Sequence, residues 1–154
     1  MKYRHLGTTG IQVSEIGFGA WGIGGAVDGA NSYGTTDDSE SKKALERAFE
    51  LGVTFYDTSN IYGYGHSEEL LGETFKNRRA QVVIASKVGF VKHEGPHDFS
   101  PSHIRKSIEE TLVRLKTDYV DLYQLHSPPL DLLRGNPEAL EEMQLLKKEG
   151  KIRA

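Results

Sequence analysis

Apolar positions along this chain follow two periods in alternation. Short runs rich in β-branched and aromatic residues have strand composition: EIGFG (15–19), VTFYD (53–57), QVVIASK (81–87) and YVDLYQLH (119–126). KIRA (151–154) opens a fifth. Between the runs, apolar residues fall three and four apart, the spacing of an amphipathic helix. Over 38–51 that spacing puts Ala44, Leu45, Ala48 and Phe49 on one face, and Gly52 is a natural stop. A second helix, from about Ser67 to Asn77, turns Leu70, Leu71, Thr74 and Phe75 inward. The third opens at SPSHI, where Ser100 can cap the free N–H groups and Pro101 sits at the first helical position without loss. Its buried stripe is Ile104, Ile108, Leu112 and Leu115. A fourth helix opens in the same way at NPEAL (136–140) and stops at Gly150.

The strands begin at 15, 53, 81, 119 and 151, a spacing expected of βα units, so they should run parallel. Ahead of them, over 2–14, YRHLGTTGIQVS alternates on either side of a glycine-containing turn and reads as a β-hairpin. The weakly patterned stretches 22–37 and 88–100 both follow a strand, where α/β proteins carry functional loops. Two architectures fit: an open doubly wound sheet, or a (β/α) barrel of TIM type represented by its first four units. Periodicity leaves both open.

The length of 154 residues suits one domain and no second. A net charge of −3 argues against a nucleic-acid surface, which needs clustered positive charge. There is no cysteine, hence no disulfide framework and no thiolate chemistry. MKYRHLG lacks the apolar core of a signal peptide, and no apolar run approaches the ~20 residues of a membrane span. These features lead to the expectation of a soluble, cytoplasmic protein.

GFGAWG (17–22) matches the G-x-G-x-x-G dinucleotide fingerprint. That fingerprint needs a helix opening inside the glycine turn, whereas here the chain runs on through IGGAVDGANSYG. A tight strand exit fits better, with Trp21 covering the sheet end or lining a pocket. Asp57, Lys87 and His126 each end a strand, and Tyr62 follows Asp57 by five residues. Singly, each has an ordinary structural explanation: a turn acid, a surface aromatic, a solvated lysine, a hydrogen-bonded histidine. Together they stand at the strand ends where parallel α/β folds build sites. They also suit one task. Reducing a carbonyl needs a proton donor; a tyrosine ordinarily holds its proton up to a pKa of about 10. A lysine cation beside it favours the phenolate, a carboxylate holds that lysine in place, and a neutral histidine orients the carbonyl oxygen. The other histidines, His93, His97 and His103, lie near Glu94 and Asp98 without metal-ligand spacing, so no metal is expected. Arg78–Arg79 and Lys147–Lys148 read as solvated helix ends.

FYDTSNIYGYGHSEELLG, VIASKVG, DYVDLYQLHSP, the opening YRHLGTTGIQVSEIGFGAWGIGG and the closing LKKEGKIRA together closely resemble the aldo-keto reductase family. The glycine-rich opening is similar to the bacterial branch related to potassium-channel β-subunits. The resemblance implies an eight-stranded (β/α) barrel, NADPH as cofactor and reduction of small aldehydes or ketones. By position, Tyr62 matches the proton donor and Lys87 the cation beside it. Asp57 matches the acid paired with that lysine, and His126 the histidine that orients the carbonyl. Gly19, Ala20 and Trp21, with Asp57, match the segment beside the cofactor. Ser59 stands where many members have alanine. Only the N-terminal half of such a barrel is represented, and the residues expected to grip the adenosine phosphate belong to the other half. In half a barrel, Val53, Phe55, Val83, Ala85, Leu122 and Gln124 would face inward without partners. The chain is therefore expected either to pair with a second copy through that open face or to be part of a longer product. A non-catalytic role, binding a partner as channel β-subunits do, is the alternative to reduction.

Overall fold

The structure, a computed structural model, describes residues 1–26, 32–135 and 137–154. The middle of the 22–37 loop and the expected helix cap Asn136 lie outside the described residues. The chain opens with a two-stranded antiparallel hairpin, β1 (Tyr3–His5) and β2 (Gln12–Ser14), which pairs Tyr3 with Ser14. Four parallel strands follow: β3 (Gly17–Gly19), β4 (Phe55–Asp57), β5 (Val83–Val88) and β6 (Leu122–Leu125). They are shorter than the apolar runs that contain them, since Glu15, Ile16, Val53 and Thr54 fall outside the ladder. The helices are α1 (Asp38–Glu50), α2 (His66–Phe75), α3 (Pro101–Leu115), α4 (Leu130–Gly135) and α5 (Pro137–Lys148). The apolar pattern does not predict α4, because six residues span less than two turns and show no period.

The helix ends follow the local chemistry. Asp37 accepts from the Glu40 N–H at 2.9 Å to start α1, and Ser100 accepts from the His103 N–H at 3.3 Å to start α3. Gly52 and Gly150, at φ +88° and +78°, turn the chain out of α1 and α5.

Strand order decides between the two architectures. β3, β4, β5 and β6 are neighbours in chain order with no reversal. The helices also touch in sequence, α1 on α2, α2 on α3 and α3 on α5, forming one layer. A doubly wound sheet would reverse its order and put helices on both faces. This is the arrangement of a (β/α) barrel, with four strands that do not close. Residues 151–154 extend it: Ile152 forms a parallel bridge with Val120, and the Tyr123 N–H donates to Ala154 O at 2.9 Å.

The main core lies between sheet and helices, where Tyr56, Ile84, Val88 and Tyr123 meet Leu45, Leu71, Phe75, Ile104 and Ile108. Each fully buried aliphatic side chain contributes about 1.5–3 kcal/mol. On the opposite, inward face, the hairpin residues Ile11 and Val13 cover Val83, with Phe55 and Ala154 alongside. The inward face is thus partly covered by the chain's own hairpin. Val53 corrects the expected inward set: it precedes β4, its N–H donates to Ala48 O at the end of α1, and its side chain joins the helix-side core.

The arginine pair is another correction. Arg78 bonds Glu46 and lies over the Phe49 ring, 4.8 Å from its centroid. Arg79 is only 11% exposed; it lies 4.1 Å from the Tyr119 ring centroid and donates to Asp121 Oδ2 at 2.7 Å. Neither is a solvated helix end. Asp121 is fully buried and must be neutralised, which Arg79 does together with Arg153 at 2.6 Å.

Candidate active site

Parallel register brings the C-terminal ends of three strands to one rim. Asp57 closes β4 and Lys87 lies one residue before the end of β5; His126 follows β6, its N–H donating to Val88 O at 2.8 Å. Tyr62 opens a 3-10 turn, Tyr62–Gly65, which leads into α2. Gly63, Tyr64 and Gly65 all have positive φ, at 59°, 52° and 99°. Three left-handed residues in a row reverse the chain and hold the Tyr62 ring over the strand ends. The Gly24 peptide presses directly on this turn: a Cβ on Gly63 would stand 2.1 Å from Gly24 O.

Lys87 is the hub. Its Nζ donates to Asp57 Oδ1 at 2.6 Å, to Thr58 O at 2.7 Å and to the Tyr62 hydroxyl oxygen at 3.3 Å. These three acceptors use all three ammonium protons. The second Asp57 oxygen accepts from Gln124 Nε2 at 3.5 Å. The acid and the backbone carbonyl hold the cation where it can stabilise charge on the phenol oxygen.

His126 closes the group. Its ring meets Tyr62 edge-on at 6.0 Å between centroids, and Phe90 at 4.6 Å. Its Nδ1 lies 3.1 Å from Ser59 Oγ, and Nε2 has no hydrogen-bond partner among the described residues. Burial pushes the His126 pKa down to about 4; the Lys87 cation adds to this, Asp57 opposes it, and His97 adds a little. The imidazole is therefore neutral at pH 7. All four expected residues, Asp57, Tyr62, Lys87 and His126, lie together.

The expected cofactor-side segment adjoins them. Gly19 is exposed at the β3 exit, with open space where a Cβ would stand. Trp21 is half-buried between Tyr33, at 4.7 Å, and Tyr62, at 6.4 Å. Ala20 points into the core; its N–H donates to Asp57 O at 2.8 Å and its carbonyl accepts from Ser67 Oγ at 2.8 Å. An open glycine face beside aromatic rings and an acid–cation pair fits a flat, polar ring such as a nicotinamide. Among the described residues no group of three or more His, Asp or Glu could hold a metal ion. His97 packs tilted against Phe90, His93 meets Tyr64 edge-on, and His103 lies 3.9 Å from Asp98. No helix among the described residues is long and apolar enough to cross a membrane.

Sequence reasoning missed a second buried cluster. Glu68 is fully buried in α2, accepting from Ser86 at 2.5 Å, Thr111 at 3.0 Å and Arg114 Nε at 2.6 Å. The Arg114 side chain lies against Gly65, where a Cβ would come within 2.5 Å of it, so the cluster braces the Tyr62 turn. The available signal was Glu68 falling one turn before Leu71 and two before Phe75, on the helix's inner stripe.

The family model for the Aldo/keto reductase family matches residues 15–154. This chain belongs to the aldo/keto reductase family. Aldo-keto reductase YhdN of Bacillus subtilis is 38% identical over 158 residues, covering 100% of this chain and 46% of that protein. A probable voltage-gated potassium channel subunit beta of Oryza sativa subsp. japonica is 35% identical over 133 residues, 83% of this chain and 38% of that protein. The holo form of an aldo-keto reductase from Bacillus halodurans superposes with a TM-score of 0.84 at 35% identity, covering 99% of this chain and 48% of the other. The chain spans about half the length of these relatives.

Proposed function

We propose that this chain carries the proton-transfer site of an NADPH-dependent reductase of small aldehydes and ketones, acting within a completed barrel. The observation that carries the reading is the Lys87 ammonium, shared between Asp57 and the Tyr62 hydroxyl. In this reading Tyr62 gives its phenolic proton to the carbonyl oxygen. Lys87 stabilises the phenolate left behind, and Asp57 keeps Lys87 charged and in place. His126, neutral at working pH, holds the carbonyl oxygen toward Tyr62. When bound, the reduced nicotinamide supplies the hydride to the carbonyl carbon. Gly19 and Trp21, with Ala20 packed beneath them and Asp57 alongside, would hold it. Inward residues of the remaining strands would complete the adenosine side of the site.

Tyr62→Phe tests this. It removes the transferable proton while keeping the ring that packs on Trp21 and His126. NADPH-dependent turnover of an aldehyde should fall by about 10²–10⁴-fold, the usual contribution of a positioned acid. Quenching of Trp21, the only tryptophan, by added NADPH should persist. Unchanged turnover in Tyr62→Phe would refute the assignment. The likeness to a potassium-channel β-subunit supports a second reading, in which the same fold binds a partner; that role should be indifferent to Tyr62→Phe.

A further inference from the structure

Ser59 has no part in the proton-transfer set described above, yet it touches His126 directly. It is fully buried between β4 and the Tyr62 turn. A hydroxyl has one proton to give. Two acceptors lie within reach of Ser59 Oγ: His126 Nδ1 at 3.1 Å and Asn60 Oδ1 at 3.2 Å, while the Ile61 N–H donates to Oγ at 3.4 Å. The Asn60 amide is oriented by its Nδ2, which donates to Phe90 O at 3.1 Å, so its oxygen faces Ser59.

The two choices give His126 opposite chemistry. If the Ser59 proton goes to Asn60, Nδ1 must carry the imidazole proton and Nε2 presents a lone pair to the site. A lone pair repels a carbonyl oxygen. If the Ser59 proton goes to Nδ1, Nε2 carries the proton and offers an N–H to that oxygen. Asn60 is partly exposed, whereas Nδ1 faces the fully buried Ser59, whose Oγ lies nearer to Nδ1 than to Asn60 Oδ1. The bond accepted from Ile61 polarises the hydroxyl toward donation. Phe90 and Tyr62, both edge-on to the imidazole, fix the plane of the ring. They leave the choice of tautomer to whatever meets Nδ1.

We infer that Ser59 is a positioning residue: its hydroxyl donates to His126 Nδ1, fixes the Nε2–H tautomer and aims that N–H at the substrate oxygen. The catalytic consequence rests on the reductase reading; the tautomer does not.

The test is nitrogen-15 NMR of His126 in the purified chain at pH 7, with the imidazole nitrogens labelled. The unaltered chain should show a single neutral tautomer protonated on Nε2. Ser59→Ala should shift the Nδ1 resonance as its accepted bond is lost and should admit the Nδ1–H form. Ser59→Thr, which keeps the hydroxyl, should restore the original spectrum. Asn60→Ala removes the competing acceptor without touching Ser59, and should leave the proton on Nε2 even if the threonine variant does not fold. A proton on Nδ1 in the unaltered chain, or an unmoved Nδ1 resonance in Ser59→Ala, overturns the inference. In a completed enzyme, Ser59→Ala should lower kcat/KM for the carbonyl about tenfold, the rate equivalent of one hydrogen bond. NADPH binding, read from Trp21, should stay unchanged. The NMR readout needs neither cofactor nor turnover, so a completed enzyme that reduces no carbonyl would refute the reductase reading and leave this assignment standing.

Discussion

Gly63→Ala should be the most damaging one-carbon change near the site, and a matched control separates its two causes. Gly63 has φ +59°, a left-handed conformation that costs a residue with a Cβ about 1–2 kcal/mol. Gly7, in the exposed hairpin turn, has nearly the same φ, +53°, with nothing within 4 Å of the place a Cβ would take. Gly7→Ala therefore reports the backbone cost alone. At Gly63 the added carbon would also lie 2.1 Å from Gly24 O and 2.8 Å from Gly24 C. Carbon–oxygen contacts settle at about 3.3 Å, so the Gly24 loop and the Tyr62 turn must part by roughly 1 Å. Overpacking of that kind costs a further ~1–3 kcal/mol. Gly63→Ala should then lose about 2–5 kcal/mol in all, against about 1–2 kcal/mol for Gly7→Ala. Urea unfolding followed by far-ultraviolet circular dichroism measures both. Because the parting displaces Tyr62 relative to Trp21, tryptophan emission should also change in Gly63→Ala and stay constant in Gly7→Ala. Equal losses in the two variants would refute the claim that this close backbone contact holds the turn.

Arg114→Ala leaves Glu68 buried and without its cation, and should destabilise the chain by about 3–5 kcal/mol in urea. Replacing Glu68 by Gln in the same chain should recover part of that loss, since the uncompensated charge is then gone. His66 spans two acceptors, Gly24 O at 3.0 Å from Nδ1 and the Asp38 carboxylate at 3.1 Å from Nε2, and only the imidazolium can donate to both. Burial alone would lower the His66 pKa, but the bonds to Gly24 and Asp38 outweigh it and leave it raised. Its contribution to stability should be full below the ordinary histidine value of about 6.5 and vanish as pH rises through the raised value. Urea midpoints of the unaltered chain and His66→Gln should therefore differ at pH 5.5 and converge at alkaline pH. His126 has the opposite sign. With its pKa held near 4, folding should weaken as pH falls from about 6.5 toward 4, and His126→Gln should flatten that part of the pH profile.

Much of the fold and site was legible in one dimension, and the reasons are local. Helix caps at Ser100, stops at Gly52 and Gly150, and the stripe Ile104, Ile108, Leu112 and Leu115 depend on neighbours within a turn or two. The positions of Asp57, Lys87 and His126 follow from where the strands end, and the parallel register then carries all three to one rim. What the sequence did not disclose depends on groups far apart in the chain. Arg79 reads as a solvated helix end, and only the burial of Asp121 beside it makes its cation necessary there. Glu68 falls on the inner stripe of α2, but what compensates a carboxylate there, Ser86, Thr111 and Arg114, comes from distant elements. Val53 alternates correctly for the inward face, but the cap of α1 claims its backbone first.

The chain's own sequence determined the βα alternation, the family, and which side chains reach the strand ends, because periodicity, capping and strand termination are short-range. The tertiary structure alone decided that consecutive strands are neighbours without reversal, so that the sheet curls as a barrel rather than winding both ways. It alone set Lys87 Nζ between Asp57 and Tyr62, pressed Gly24 against Gly63, and put Ser59 beneath His126. Those contacts join residues 25 to 67 positions apart; no local pattern encodes them, since their energy exists only once the strands have paired and water has left the rim.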